Sequence, residues 1–168
     1  MRLYFSGFCL AEEKDLFLDY LIENDFSIAG FSFGAQKAFE YALRTKKRID
    51  TLQLFSPAFF QDKDKKYKRM QLMFFKKNPK SYCENFLKNC GFSEEISQNY
   101  FQMGSYEELD ELLNYLWDEE KLKRLEEKNI KLEVYLGEKD KIIESQKAKD
   151  FFKEYGEVYF IKNKGHIL

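Results

Sequence analysis

Histidine is almost missing from this chain: among 168 residues there is one, His166. Any chemistry that needs an imidazole therefore rests on that residue. A metal centre is not indicated, because one histidine and three cysteines, Cys9, Cys83 and Cys90, fall in no metal-like spacing. The odd, scattered cysteines give no disulfide framework either. Neither sign of charge prevails. Twenty-eight basic against 29 acidic residues leave a formal net charge of -1, which excludes a uniformly basic nucleic-acid binder and leaves only local patches to weigh. Long apolar runs are also lacking: the opening stretch MRLYFSGFCLAEEK is apolar over too short a distance to span a bilayer. It has no small-residue cleavage site before its acidic residues, so the sequence reads as cytoplasmic with no membrane partner. What is abundant is aromatic. Eighteen Phe and 11 Tyr give bulky packing units, and 44% hydrophobic residues exclude a disordered chain. The length suits one domain, residues 1–168, with a core that folds without staples.

Short apolar runs alternate with helical patterns. RLYFSGF reads as a buried strand over 2–5 that turns at Gly7, and EEKDLFLDYLIEN follows as a helix with Leu16, Phe17, Tyr20 and Leu21 at helical spacing. FSIAG is a second strand running directly into FSFG. After it, Ala35, Ala38, Phe39 and Ala42 line one face of a helix. Further strands are expected over 51–55, 131–136 and 158–161, the last two separated by the helix-like ESQKAKDFFKEY. Alternating strands and helices predict a mainly parallel α/β sheet of about five strands. Residues 60–128 interrupt that rhythm with an insertion of helices, in which EELDELLNYLWDEEKLKRL is the clearest helical segment.

The sequence GFSFG, residues 30–34, matches the G-x-S-x-G pattern, and its serine, Ser32, falls between a predicted strand and a predicted helix. A serine hydroxyl is a poor nucleophile at neutral pH and needs a base in hydrogen-bond reach, with a carboxylate to orient that base. His166, in NKGHIL after the last strand, is the candidate base. Asp140 in YLGEKDKII is the candidate carboxylate, with Glu138 as the alternative in the same loop. The order Ser, Asp, His is the one used by α/β-hydrolases. Acyl transfer also needs donors for the oxyanion, and the backbone N–H groups of Phe33 and Phe8 occupy the expected places. Cys9 is a rival nucleophile in the first loop, against its reading as a small buried cysteine that packs the turn.

Taken together, SGF after the first strand, GFSFG, LFSPAFF, GEKD and the terminal GH resemble the α/β-hydrolase esterases that cleave the methyl ester of pimeloyl-acyl carrier protein in biotin synthesis. Within them the chain resembles the short BioV type. The resemblance extends over essentially the whole chain. It implies a truncated α/β-hydrolase fold with a helical cap inserted at about 60–128, a Ser32–His166–Asp140 triad, and no metal or cofactor. It also implies that the usual His-Gly-x-Gly oxyanion loop is replaced by Ser6-Gly7-Phe8-Cys9, and that three strands of longer relatives are missing from one side of the sheet. The partner implied is an acyl carrier protein bearing a methyl pimeloyl chain. Residues 62–80 carry eight basic and two acidic side chains. That patch suits an acidic carrier, with Lys66, Lys68, Arg69, Lys76 and Lys77 as candidate contacts and MQLMFF as an apolar wall for the acyl chain; a solvated helix face is the other reading.

Overall fold

The computed structural model describes residues 3–168. Five strands, Leu3–Phe5 (β1), Ser27–Phe31 (β2), Thr51–Phe55 (β3), Lys131–Gly137 (β4) and Glu157–Ile161 (β5), form one parallel sheet in the order β1-β2-β3-β4-β5. Each expected strand is present; Arg2, the expected first residue of β1, lies outside the described residues. β2 and β3 are buried along their whole length, which is why they read as continuous apolar runs without alternation. In register across the sheet stand Phe31, Phe55, Tyr135 and Tyr159. Tyr135 stacks on Tyr159 with ring centroids 4.7 Å apart, so aromatic pairs tie the strands together just below their carboxyl ends.

Helix α1, Phe33–Arg44, packs its Ala35, Ala38, Phe39 and Ala42 face on β1, β2 and β3. Between β3 and β4 run five helices: Lys65–Lys77 (α2), Pro79–Cys90 (α3), Glu94–Tyr100 (α4), Tyr106–Asn114 (α5) and Glu119–Glu127 (α6). Each starts on a side-chain cap, from Asp64, Asn78, Ser93, Ser105 and Asp118 in turn. α2 packs against α3 and α5, whereas α6 returns to α1 and β4. Ser145–Phe152 (α7) covers β4 and β5.

Two expectations need correction. The helix expected over EEKDLFLDYLIEN is only a short 3₁₀ turn, Glu13–Phe17. Beyond it the chain gives its backbone groups to a side chain instead: Gln53 donates to the Tyr20 carbonyl (2.9 Å) and accepts from the Ile22 N–H (2.9 Å). Phe17 still reaches the core, stacked on Phe55 at 4.7 Å, so the apolar spacing reports burial while the backbone follows Gln53. EELDELLNYLWDEEKLKRL is likewise two helices, α5 and α6. The break buries Trp117, whose indole N–H donates to the Ala58 carbonyl (2.9 Å), and Asp118 then caps α6.

Two glycines set how closely α1 approaches the sheet. A Cβ on Gly34 would lie 2.0 Å from the Phe5 carbonyl oxygen, and one on Gly30 would lie 2.2 Å from that of Gly34. Both obstacles are backbone, which cannot swing aside. Gly34→Ala is expected to destabilise the fold by at least about 3 kcal/mol in denaturant unfolding. Gly165→Ala, whose Cβ meets nothing nearer than 3.8 Å, should cost less than about 1 kcal/mol. Equal costs would show that the Gly34 contact is not the constraint described.

Candidate active site

Ser32 occupies the turn between β2 and α1 with φ 53° and ψ −113°, a left-handed φ that a side chain disfavours. It stands where α1 would take its N-cap, and serine is among the best capping residues, yet its side chain caps nothing. Its hydroxyl meets His166 instead: Oγ lies 2.9 Å from Nε2. The other ring nitrogen, Nδ1, is 2.7 Å from Asp140 Oδ2. Three residues from three loops at the carboxyl edge of the sheet thus form one hydrogen-bonded chain.

Each member is held by its own loop. Asp140 Oδ1 accepts the N–H groups of Ile142 (2.7 Å) and Ile143 (3.0 Å), which leaves Oδ2 for the imidazole. Donors on both oxygens, together with burial of the side chain, fix the carboxylate's direction. Glu138, the alternative carboxylate, is exposed and accepts from the Asn163 N–H (3.2 Å); it is Asp140 that reaches the histidine. The His166 ring packs on Phe31 at 5.1 Å, and its carbonyl accepts from Ser56 Oγ at 2.5 Å. Ser56, at the end of β3 with φ 39°, was not singled out as a site residue by its sequence. Its sequence signal is the Ser-Pro that follows β3, the strand paired with β2.

Phe33 begins α1, so its N–H has no intrahelical partner, and among the described residues neither it nor the Phe8 N–H donates a hydrogen bond. A groove of about 330 Å³ reaches this place, lined by Ser6, Gly7, Cys9, Phe33, Lys37 and Glu108 among others. The Phe8 side chain turns away, edge-on to Phe86 at 5.4 Å and 6.3 Å from Phe75, and so joins the first loop to α2 and α3. A second link is a short antiparallel bridge between Leu10 and Phe101. Ser32 and His166 are 1% and 0% exposed beneath this cover.

A larger cavity, about 630 Å³, lies among α2, α3, α5 and the Asp140 loop, with Phe60, Phe86, Leu112 and Ile142 as apolar walls and Gln71, Asn85 and Lys141 as polar ones. From MQLMFF, Gln71 and Phe74 line it, and of the five basic candidates only Lys77 does. Lys76 sits over the Tyr106 ring at 4.5 Å. Arg69 and Lys66 are exposed and Lys68 is half-buried; none of the three makes an ion pair among the described residues. They share α2 with exposed Met70, Met73 and Phe74.

Cys9 is buried, and burial pushes its thiol far above the usual range, which disfavours the thiolate a cysteine nucleophile needs. Burial, and then the charge of Asp140, raise Cys90 as well. Among the described residues no group of three His, Cys, Asp or Glu could hold a metal ion, and no helix is long and apolar enough to cross a membrane.

No protein-family model matches the chain, and no curated protein matches it in sequence. Solved structures do. MenH from S. aureus superposes with a TM-score of 0.60 at 14% identity, over 98% of this chain and 85% of that one. The esterase EaEST from Exiguobacterium antarcticum gives 0.63 at 18% identity, over 83% and 59%. A structure from work on carboxylesterases of the thaumarchaeon Nitrososphaera gargenis gives 0.58 at 17%, over 83% and 57%. The chain thus spans little more than half the length of those two proteins. The likeness defines the fold: a truncated α/β-hydrolase fold, with a five-stranded parallel sheet flanked by helices.

All three cysteines are free and buried. A thiol-specific colorimetric reagent should therefore find no fast-reacting group in the native protein and three after denaturation. One rapidly reacting thiol in the native protein, mapped to Cys9, would restore it as a candidate nucleophile.

Proposed function

We propose that the protein is a serine hydrolase of carboxylic esters. The observation that carries this reading is the Asp140–His166–Ser32 chain, with bonds of 2.7 and 2.9 Å, ending on a serine held in a strained strand-to-helix turn. In the proposed reaction Ser32 Oγ attacks the ester carbonyl while His166 Nε2 takes its proton, and Asp140 holds Nδ1–H and stabilises the imidazolium. The Phe8 and Phe33 N–H groups receive the oxyanion. As the tetrahedral intermediate collapses, His166 returns the proton to the departing alkoxide, which leaves as an alcohol. Water then attacks the acyl-enzyme, giving a proton to His166, which returns it to Ser32 Oγ as the acyl group departs as the free acid.

The substrate we propose is the methyl ester of pimeloyl-acyl carrier protein, so that methanol leaves and the new carboxylate stays on its carrier, within biotin biosynthesis in the cytoplasm. The motif resemblance supports it, as do the walled cavity beside the Asp140 loop and the basic surface of α2. An acidic carrier would dock on Lys66, Lys68 and Arg69. Arg69 is the strongest candidate contact, since a guanidinium grips phosphate or carboxylate with two hydrogen bonds. A thioesterase or general short-chain carboxylesterase would use the same triad and differ in substrate.

Two experiments test the reading. On p-nitrophenyl butyrate, Ser32→Ala and His166→Ala should abolish turnover with the fold intact, and Asp140→Asn should lower kcat by roughly 10⁴-fold. Glu138→Gln should stay near wild type; a crippled Glu138→Gln beside a healthy Asp140→Asn would contradict the assignment. For the partner, kcat/KM is measured on methyl pimeloyl carrier protein and on the small ester at low and high salt. The combined Lys66→Glu, Lys68→Glu, Arg69→Glu protein should lose at least about tenfold on the carrier substrate alone, because steering acts over roughly 8–10 Å at ordinary salt. Equal losses on both substrates would return α2 to a solvated face, and cleavage of the carrier thioester in preference to the methyl ester would make the protein a thioesterase.

A further inference from the structure

Glu13 is a buried carboxylate that the triad chemistry does not use. It is 0% exposed, and its Oε1 accepts two hydrogen bonds, from the Gly7 N–H (2.8 Å) and the Tyr4 hydroxyl (3.1 Å). Its Oε2 has no partner among the described residues. Burying a carboxylate with one oxygen unpaired is costly, and a neutral side chain would bring less to desolvate. A feature so poorly suited to stability asks what else it fixes.

The answer lies in the peptide joining Gly7 to Phe8. Its carbonyl, that of Gly7, accepts from the Leu10 N–H at 3.3 Å, while the N–H of Gly7 itself is taken by Glu13. Held on both sides of the Gly7 Cα, the peptide has one orientation, and its own N–H, that of Phe8, is left undonated. Gly7 supplies no steric grip of its own. It is glycine because a Cβ would lie 2.8 Å from the Phe31 ring. The loop also carries left-handed backbone at Cys9 and Glu12, both at φ 62°, conformations that persist only where surrounding bonds dictate them.

We infer that Glu13 is a positioning residue for ester hydrolysis: by accepting the Gly7 N–H it aims the Phe8 N–H at the oxygen that becomes negative in the transition state. The inference rests on the serine-esterase reading and adds to it a residue that touches neither substrate nor triad. Loss of one oxyanion donor costs about 10²–10³ in kcat. Loosening a donor costs less and acts on kcat with little change in KM, because the bond strengthens only as charge develops.

Glu13→Met keeps the side-chain volume and removes the acceptor; Glu13→Gln keeps an acceptor oxygen. On p-nitrophenyl butyrate, with active sites counted by phosphonate labelling, Glu13→Met should lose about 10- to 100-fold in kcat while KM moves less than about threefold. Glu13→Gln should recover most of that loss. In the acyl-enzyme from a slowly hydrolysed cinnamoyl ester, the acyl carbonyl infrared band should lie at higher wavenumber in Glu13→Met than in wild type, because a weaker oxyanion hole polarises it less. Glu13→Met with wild-type kcat and an unshifted band, or a loss fully accounted for by fewer labelled sites, would overturn the inference and leave the esterase reading standing. A wild type that forms no acyl-enzyme would overturn both. If Glu13→Met does not fold, amide exchange of Gly7 in the wild-type protein decides: a protected Gly7 N–H is expected, and a freely exchanging one overturns the inference.

Discussion

The structure turns on one diverted hydrogen bond. Ser32 stands at the start of α1, where its hydroxyl would ordinarily cap the helix, and it is bonded instead to His166 across the sheet edge. Diversion leaves the first N–H groups of α1 without a side-chain partner, at the positive end of a twelve-residue helix dipole. The same backbone turn therefore presents a hydroxyl beside an imidazole and the undonated Phe33 N–H. Holding serine at φ 53° costs of order 1–3 kcal/mol, which the surroundings must offset. Gly30 and Gly34 allow it by letting α1 approach the strands with no room for a Cβ, and Ser32 N donates to the Phe55 carbonyl at 2.9 Å.

Around that turn the loops depend on one another. Ser56, just after β3, grips the His166 carbonyl; Asp140, in the loop after β4, takes the imidazole; the Cys90 carbonyl at the end of α3 accepts the Ile167 N–H and so ties the tail to the helices above. The first loop is fixed from below by Glu13 and from above by the Phe8 contacts with Phe75 and Phe86. Movement of α2 or α3 would therefore be felt at Phe8, whose backbone N–H is proposed to receive the oxyanion. The 630 Å³ cavity opens among those same helices.

Much of this was legible in the amino-acid order. β2 and β3 announce themselves as short apolar runs because neither of their faces meets water, while the half-buried edge strands β1 and β5 are legible from their apolar and β-branched residues between turn signals. With one histidine in the chain, the candidate base needs no choosing. Asp140 and Glu138 lie two residues apart in one loop, and only the fold shows that the buried Asp140 carboxylate meets the imidazole while Glu138 stays exposed on the Asn163 N–H. What failed to show were elements governed by distant partners. The segment after Phe17 has helical spacing, but Gln53, more than thirty residues on, claims its backbone. Trp117 breaks a run of good helix formers because its indole finds the Ala58 carbonyl. Nothing local in the sequence marks Glu13 as the partner of the Gly7 N–H.

The central claim is that His166, oriented by Asp140, activates Ser32 and no other side chain. It is tested most directly by treating the native protein with a fluorophosphonate at neutral pH and locating the adduct by peptide mass spectrometry, in wild type and in His166→Ala. The account predicts a single adduct, on the peptide carrying Ser32, formed at least about 10³ times more slowly without the imidazole. An adduct elsewhere, or labelling of Ser32 at the same rate in both proteins, would contradict it.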